Sequence, residues 1–223
     1  MNLQRILLDT IFPHICVCGK WGYLLCPSCL SKIKINFTQT CPICRKISEN
    51  GKTCKSCRSR TALTGVMIFG EHTGVLKKLI WEYKYEFIRD LAEPLTDLLV
   101  EKFGNAVIKK KPMITYVPIT KKRLNWRGFN QSELLARLLA KKLNLDCVPL
   151  LSRNENAKTQ VGLSRNQRIQ NLKGQIKFIK NEAKIKVILV DDVYTTGATL
   201  EECALILRKN GFKEIYGLVL SRD

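Results

Sequence analysis

The stretch "KVILVDDVYTTGATLEEC", Lys186 to Cys203, decides the fold class. Its apolar run, Val187–Val190, is continuous rather than alternating, which is how a strand buried on both faces reads. Asp191 and Asp192 follow at once. Then come a small, hydroxyl-rich loop and the helical spacing of "TLEECALILRKNG", which Asn210-Gly211 stops. In an open parallel sheet, ligands bind outside the carboxyl ends of the strands. The two aspartates lie there, and so does the loop Tyr194–Thr199, which opens the helix at its N-terminus. Backbone N–H groups at that terminus have no intrahelical partners and the helix dipole is positive, so the loop suits a phosphate. Gly197 permits close backbone approach, and Thr195, Thr196 and Thr199 add hydroxyl donors. Carboxylates repel phosphate; they suit the vicinal hydroxyls of a sugar, or a metal-bound water. A ribose 5-phosphate satisfies both halves of the motif at once.

Outward from this stretch, helix and strand patterns alternate. "HTGVLKKLIWEYKYEF" places Val75, Leu76, Leu79, Ile80 and Tyr83 on one helical face. "IRDLAEPLTDLLVEKFG" reads as a second helix with Pro94 in its first turns. "NQSELLARLLAKKLNL" reads as a third, with Leu134, Leu135, Leu138, Leu139 and Leu143 as its stripe. "MITYVPI", "CVPLLSR" and "EIYGLVLS" read as strands. Residues 63–223 are therefore expected to form an α/β domain with a mostly parallel sheet flanked by helices. The polar stretch 154–183 is too long for an idle loop; a lid over the site, an added hairpin or a disordered insertion would account for it.

Residues 1–62 are of another kind. Eight of the ten cysteines lie there, as Cys16/Cys18, Cys26/Cys29, Cys41/Cys44 and Cys54/Cys57. Thiols in a reducing cytosol point to metal ligation rather than disulfides, and two C-x-x-C turns make a tetrahedral sulfur site suited to Zn²⁺. Two structural zinc ions are expected. Sequential pairing gives one site from Cys16, Cys18, Cys26 and Cys29 and another from Cys41, Cys44, Cys54 and Cys57; a cross-braced pairing fits the spacing too. The first pair is C-x-C, one residue short, which leaves His14 as an alternative ligand to Cys16. Cys147 and Cys203 stand alone among apolar residues and read as core.

Charge is lopsided: 38 Lys and Arg against 19 Asp and Glu, a net of +19. Residues 1–62 hold ten of those cations against two acids, so per residue the head is nearly twice as basic as the rest. A polyanionic partner fits this balance, nucleic acid or phosphorylated metabolites. No apolar run reaches the roughly 18 residues of a membrane span. The segment "MNLQRILLDTIFPHICVC" is broken at Asp9 and offers no small-residue cleavage site. A cytoplasmic protein is expected. "VILVDD" also resembles the Mg²⁺-holding strand of P-loop ATPases, but G-x-x-x-x-G-K-[ST] occurs nowhere in the chain.

"VILVDDVYTTGAT" closely resembles the 5-phosphoribosyl 1-pyrophosphate (PRPP) binding signature of type I phosphoribosyltransferases. With "YKYE", "VPITKKRLNWRGFNQSELLA", "KTQVGLSRNQRIQNLKG" and the cysteine-paired head, the whole chain resembles the ComF/GntX family, the competence protein F group. The resemblance implies a type I phosphoribosyltransferase fold behind a double zinc ribbon. It implies that Asp191 and Asp192 hold the ribose hydroxyls and the water of an accompanying Mg²⁺. Thr195, Thr196, Gly197, Ala198 and Thr199 would cradle the 5-phosphate, and Thr120, Lys121 and Lys122 would reach the pyrophosphate. Arg165 and Arg168, within Thr159–Asn171, would belong to the mobile loop that closes over PRPP. Arg127 matches an arginine of "RGFNQ" for which the sequence gives no role. In such enzymes a nucleophile attacks C1 of the ribose and pyrophosphate leaves; the protein positions, excludes water and stabilises charge. Salvage transferases for 6-oxopurines carry a carboxylate at the position of Thr195, and threonine does no acid–base work there, which disfavours that reaction. Two readings follow: a PRPP-binding protein of DNA uptake that also binds single-stranded DNA and other uptake proteins, or a metabolic phosphoribosyltransferase with a structural zinc head. For DNA, Lys20, Arg45, Lys46, Lys52, Lys55, Arg58 and Arg60 flank the metal turns, and Trp21, Tyr23 and Phe37 offer stacking faces or a small core.

Overall fold

The computed structural model describes residues 13–36, 38–154, 174–180 and 185–223. The strands are β1 (Gly65–Glu71), β2 (Met113–Tyr116), β3 (Leu151–Arg153), β4 (Ile176–Phe178), β5 (Lys186–Tyr194) and β6 (Glu214–Arg222). The α-helices are α1 (Pro27–Leu30), α2 (Gly74–Tyr85), α3 (Ala92–Ile108), α4 (Lys121–Arg127), α5 (Gln131–Leu143) and α6 (Ala198–Lys209). Four strands make one parallel sheet in the order β1-β6-β5-β2. Cys147 adds a single parallel bridge to Ile114, beyond β2. β3 and β4 pair antiparallel, so the end of the long polar stretch returns as a hairpin strand.

The unbroken apolar run of β5 is explained by its place between β6 and β2 with both faces covered. Along it, Ile188 and Val190 join one core and Val187 and Leu189 the other. The first core lies under α2, α3 and α5; the second lies under α6 and the β3–β4 pair. Leu76, Leu79, Ile80 and Tyr83 of α2 are buried as the helical spacing requires, as are Leu135, Leu139 and Leu143 of α5. Each fully buried aliphatic side chain contributes about 1.5–3 kcal/mol. Of the four-stranded sheet and its flanking helices, two elements were not read from the sequence. β1 lies in "GVMIFGE", whose short apolar run carries no period of its own, and α4 is a seven-residue helix with no buried residue, hence no apolar stripe to find.

Lys34, Ile35, Asn36 and Gln39 of the head lie along the outer edge of β1. Asn36 donates to the Phe69 carbonyl at 2.8 Å and Glu71 donates to that of Lys34 at 3.1 Å. The Gln39 amide completes the ladder, accepting from the Ile68 N–H and donating to its carbonyl, both at 2.9 Å. The edge strand is thereby covered. Lys102 of α3 reaches across the seam, donating to the carbonyls of Asn36 and of Phe69. Cys16, Cys26 and Cys29 share the first core with Met67 and Phe69, so the head rests on the sheet's own core. Among the described residues, no helix is long and apolar enough to cross a membrane.

Candidate functional site

Asp191 and Asp192 lie toward the carboxyl end of β5, in the wall of a cavity of about 380 Å³. The ends of neighbouring strands supply His72, Val117–Ile119 and Asp223; α6 and the loop before it supply Thr199 and Thr195. Four cations come from helices, Lys77 and Lys84 from α2 and Arg123 and Arg127 from α4; Arg153 of β3 completes the basic lining.

The two carboxylates are held differently. Asp191 accepts from the Ser132 hydroxyl at 2.8 Å and from the Asp192 N–H at 2.9 Å through the same oxygen. Burial, and then the adjacent Asp192 charge, push its carboxyl up to about 7. Asp192 pairs with Lys84 at 2.7 Å, and the two side chains are only 11% and 18% exposed. Lys84 belongs to "YKYE", a motif whose role the sequence left open. His72 is fixed by the Ser221 hydroxyl at 2.8 Å, and burial lowers its pKa.

"RGFNQS" is now legible residue by residue. Gly128 ends α4 in the left-handed region at φ 73°, its N–H on the Leu124 carbonyl. Phe129 packs on Tyr83 with ring centroids 5.4 Å apart. Asn130 caps α5, accepting from Ser132 and Glu133, and donates to the Val117 carbonyl at 3.1 Å, tying the cap to the end of β2. Ser132 then meets Asp191, and Gln131 accepts from Arg127 at 3.0 Å. Three N–H groups of this lining are buried without a partner among the described residues: Arg127 Nε, Gln131 Nε2 and Arg153 Nε. Leaving such a donor unpaired costs about 1–3 kcal/mol. Burial also lowers the pKa of both guanidinium groups. Sequence reasoning missed Arg123, Arg153, Gln131 and Ser132; apart from the quoted motif, no local pattern marks them.

The hydroxyl-rich loop divides between two cavities. Thr195 and Thr199 face the aspartates, whereas Thr196, Gly197 and Ala198 line a neighbouring one, also of about 380 Å³, with Pro42, Ile43 and Arg60 of the head. Gly197 has φ 75°, and Thr196 Oγ1 accepts from the Ala198 N–H at 3.3 Å. Thr120 caps α4, accepting from Arg123 at 3.3 Å; Lys121 and Lys122 are exposed beside it, and Arg123 is the residue of that turn that lines the cavity. Arg165 and Arg168 lie outside the described residues.

The eight cysteines gather into two groups, Cys16, Cys18, Cys26 and Cys29, and Cys41, Cys44, Cys54 and Cys57, with the four sulfurs of each within 4.8 Å of one another. The pairing is sequential, and Cys16, not His14, completes the first group. The Cys18 and Cys26 sulfurs are 3.6 Å apart, and so are those of Cys44 and Cys54. That is far longer than a disulfide and close to the roughly 3.8 Å edge of a tetrahedron built on Zn–S bonds of about 2.3 Å. Thiols this close share protons unevenly. A hydrogen bond from the Lys20 backbone lowers Cys18 to about 7 and burial raises Cys29 to about 12. In the second group the Ser56 hydroxyl lowers Cys54 to about 6, and the hydrogen bond with Cys54 raises Cys57 to about 12. Both groups could hold zinc, whose charge would favour the thiolate form throughout. Cys203 is fully buried and Cys147 packs against the core. Trp21 and Tyr23 are exposed at 66% and 42%, so neither forms a head core; Phe37 lies outside the described residues.

No family model matches the chain. It is 31% identical over 211 residues to "Competence protein F" of Haemophilus influenzae, covering 89% of this chain and 90% of that protein. It is 26% identical to "Competence protein ComFC" of Bacillus subtilis, covering 84% and 79%, and 28% identical to "DNA utilization protein YhgH" of Escherichia coli K12, covering 86% and 87%. Among solved structures, orotate phosphoribosyltransferase from Aeropyrum pernix superposes with a TM-score of 0.40 at 20% identity, over 66% of this chain and 64% of that one. At that score the fold is read from the strand order itself.

Proposed function

The chain belongs to the competence protein F family, and from that premise we propose that it is a PRPP-binding protein that handles single-stranded DNA during DNA uptake. The observation that supports the PRPP site best is the set of three donors without partners among the described residues, on Arg127, Gln131 and Arg153, around a cavity that also presents Asp191 and Asp192. PRPP is a polyanion carrying a diol, so its phosphates answer the buried N–H groups and its ribose hydroxyls answer the carboxylates. Thr195, Thr199 and the amino end of α6 take the 5-phosphate. Arg123, Arg127 and Arg153 take the pyrophosphate, with Thr120, Lys121 and Lys122 on the adjoining turn. Mg²⁺ bound to PRPP would neutralise charge on the pyrophosphate. The chain's own residues orient the ribose and keep water from C1.

The names of the relatives support the DNA role, and the cationic surface supports the partner. None of the ten cysteines forms a disulfide, which fits the reducing cytoplasm. Isothermal titration with PRPP and Mg²⁺ tests the site. Asp191→Ala with Asp192→Ala removes two charge-assisted hydrogen bonds worth about 1.5–3 kcal/mol each. Binding should pass from micromolar to undetectable. A folded double mutant that binds PRPP like the parent would overturn the assignment.

A further inference from the structure

Three large rings stand exposed on or beside the rim of the PRPP cavity, and the reading above uses none of them. Trp81 is 50% exposed, Tyr85 44% and Trp126 56%. Trp81 and Tyr85 lie four residues apart on α2, so they share its cavity-facing side with Lys77 and Lys84. Trp126 comes from α4. The rings run in file: Trp81 to Tyr85 is 6.0 Å between centroids and Tyr85 to Trp126 is 6.2 Å. Phe87 holds the far end, edge-on to Trp126 at 5.3 Å. The Arg127 guanidinium sits 5.5 Å from the Tyr85 centroid and 5.7 Å from that of Trp126. Lys77 and Arg123 are exposed at the same mouth.

We propose that Trp81, Tyr85 and Trp126 form a stacking rail for unpaired bases of a single-stranded nucleic acid at the mouth of the PRPP cavity. The proposal rests on the reading of the chain as a protein that binds PRPP and single strands, and it places the bases. Every base offers a π-face, so a file of aromatic rings beside cations binds single strands without reading sequence. Charge selects this occupant. A second copy would bring another net +19 to a rim already lined by Lys77, Arg123 and Arg127, whereas a strand brings phosphates to them. The strand's backbone runs along α4, whose seven residues carry Lys121, Lys122, Arg123 and Arg127 and no acid. Asp191 and Asp192 lie deeper, where phosphates of the strand are not required.

Fluorescence anisotropy on the full chain tests this, with a labelled oligothymidine of about twelve nucleotides, within the usual site size. A strand of equal length without bases is the control. The unaltered protein should bind the base-bearing strand at least about fivefold more tightly for each base stacked. This comparison depends on no variant folding. Trp81→Ala with Trp126→Ala should remove most of the preference for the base-bearing strand, leaving what Tyr85 alone stacks, and leave the salt dependence unchanged, because no charge is removed. Trp81→Phe with Trp126→Phe should retain most of the preference. Equal binding of both strands by the unaltered protein, or an undiminished preference in the alanine variant, would overturn the rail. So would sedimentation showing self-association that the alanine variant abolishes while oligonucleotide affinity stays the same. PRPP titration of the unaltered chain is read separately: binding PRPP without preferring bases defeats the rail alone, and preferring bases without binding PRPP defeats the cavity assignment alone.

Discussion

Asp191 and Asp192 are adjacent in sequence and face different surroundings, and each makes its own prediction. Asp191, pushed up to about 7 from 3.8, keeps a proton in the folded chain that the unfolded chain has released. Between those values the native state binds more protons, so stability of the unliganded protein falls as pH rises through the window. Asp191→Asn cannot ionise and should flatten that loss, measured as melting temperature against pH; parallel curves would contradict the burial of this carboxyl. Asp192 instead leans on Lys84 at 2.7 Å, with little of either side chain exposed. Lys84→Met leaves Asp192 charged beside Asp191 without its counterion. The cost should be about 1–3 kcal/mol in denaturant unfolding, less than for a fully buried pair because some solvent reaches both groups. A loss near zero would mean that water already screens the pair.

At the scale of elements, two of the head's contacts with the rest of the chain have different consequences. The first cysteine group joins the core under α2 and α3, whereas Pro42 and Ile43, between the ligands Cys41 and Cys44, line a cavity with Thr196–Ala198. Elemental analysis should find two zinc ions per chain, and one after either Cys18→Ser or Cys44→Ser. Cys18→Ser should lower thermal stability while PRPP affinity holds. Cys44→Ser should weaken PRPP binding, because the turn that backs the phosphate loop loses its anchor. Equal effects of the two variants on PRPP would refute this division. The seam at β1 is just as specific. A Cβ on Gly70 would lie 2.7 Å from the Lys34 carbonyl oxygen and 2.8 Å from Leu76 Cδ2. Gly70→Ala should therefore cost about 1–3 kcal/mol as overpacking, read by thermal melting, with faster amide exchange at Asn36 and Glu71.

Across the whole molecule, cations of the head meet cations of the sheet's other end. Lys52 and Arg58 line a cavity of about 540 Å³ with Arg208 and Lys213, at the amino ends of β1 and β6 and away from the aspartates. Arg208 donates to the Ala62 and Lys213 carbonyls, and Glu214 is the one acid that shares this lining with the four cations. Reversing Lys52, Lys55, Arg58 and Arg60 to glutamate should weaken single-stranded DNA binding. Each phosphate that the protein no longer neutralises flattens the slope of log affinity against log salt by about 0.7, so the change should be roughly two to three units. PRPP affinity should not move when Arg60, which lines the cavity beside Thr196–Ala198, is left in place and only the other three are reversed. The same affinity and slope in the reversed protein would remove the head from the DNA surface. This signature differs from that of the aromatic rail, whose removal lowers affinity without touching the slope.

"VILVDD" with its helix, the alternation around it and the paired cysteines determined an α/β sheet behind a metal-binding head, because strand burial, helical period and ligand spacing are local properties. The stripes of α2 and α5 were legible for the same reason. Sequence left β1 and α4 unread: a strand that the head covers and a helix that buries nothing carry no periodic signature of their own. Lys84, Ser132, Arg127 and Arg153 belong to four separate elements, and nothing in the chain's order says that they converge on Asp191 and Asp192. That convergence exists only once β5 lies between β2 and β6, since parallel pairing brings the carboxyl ends of distant segments to one side. The three rings of the rail are the same case, two from α2 and one from α4, aligned by packing alone.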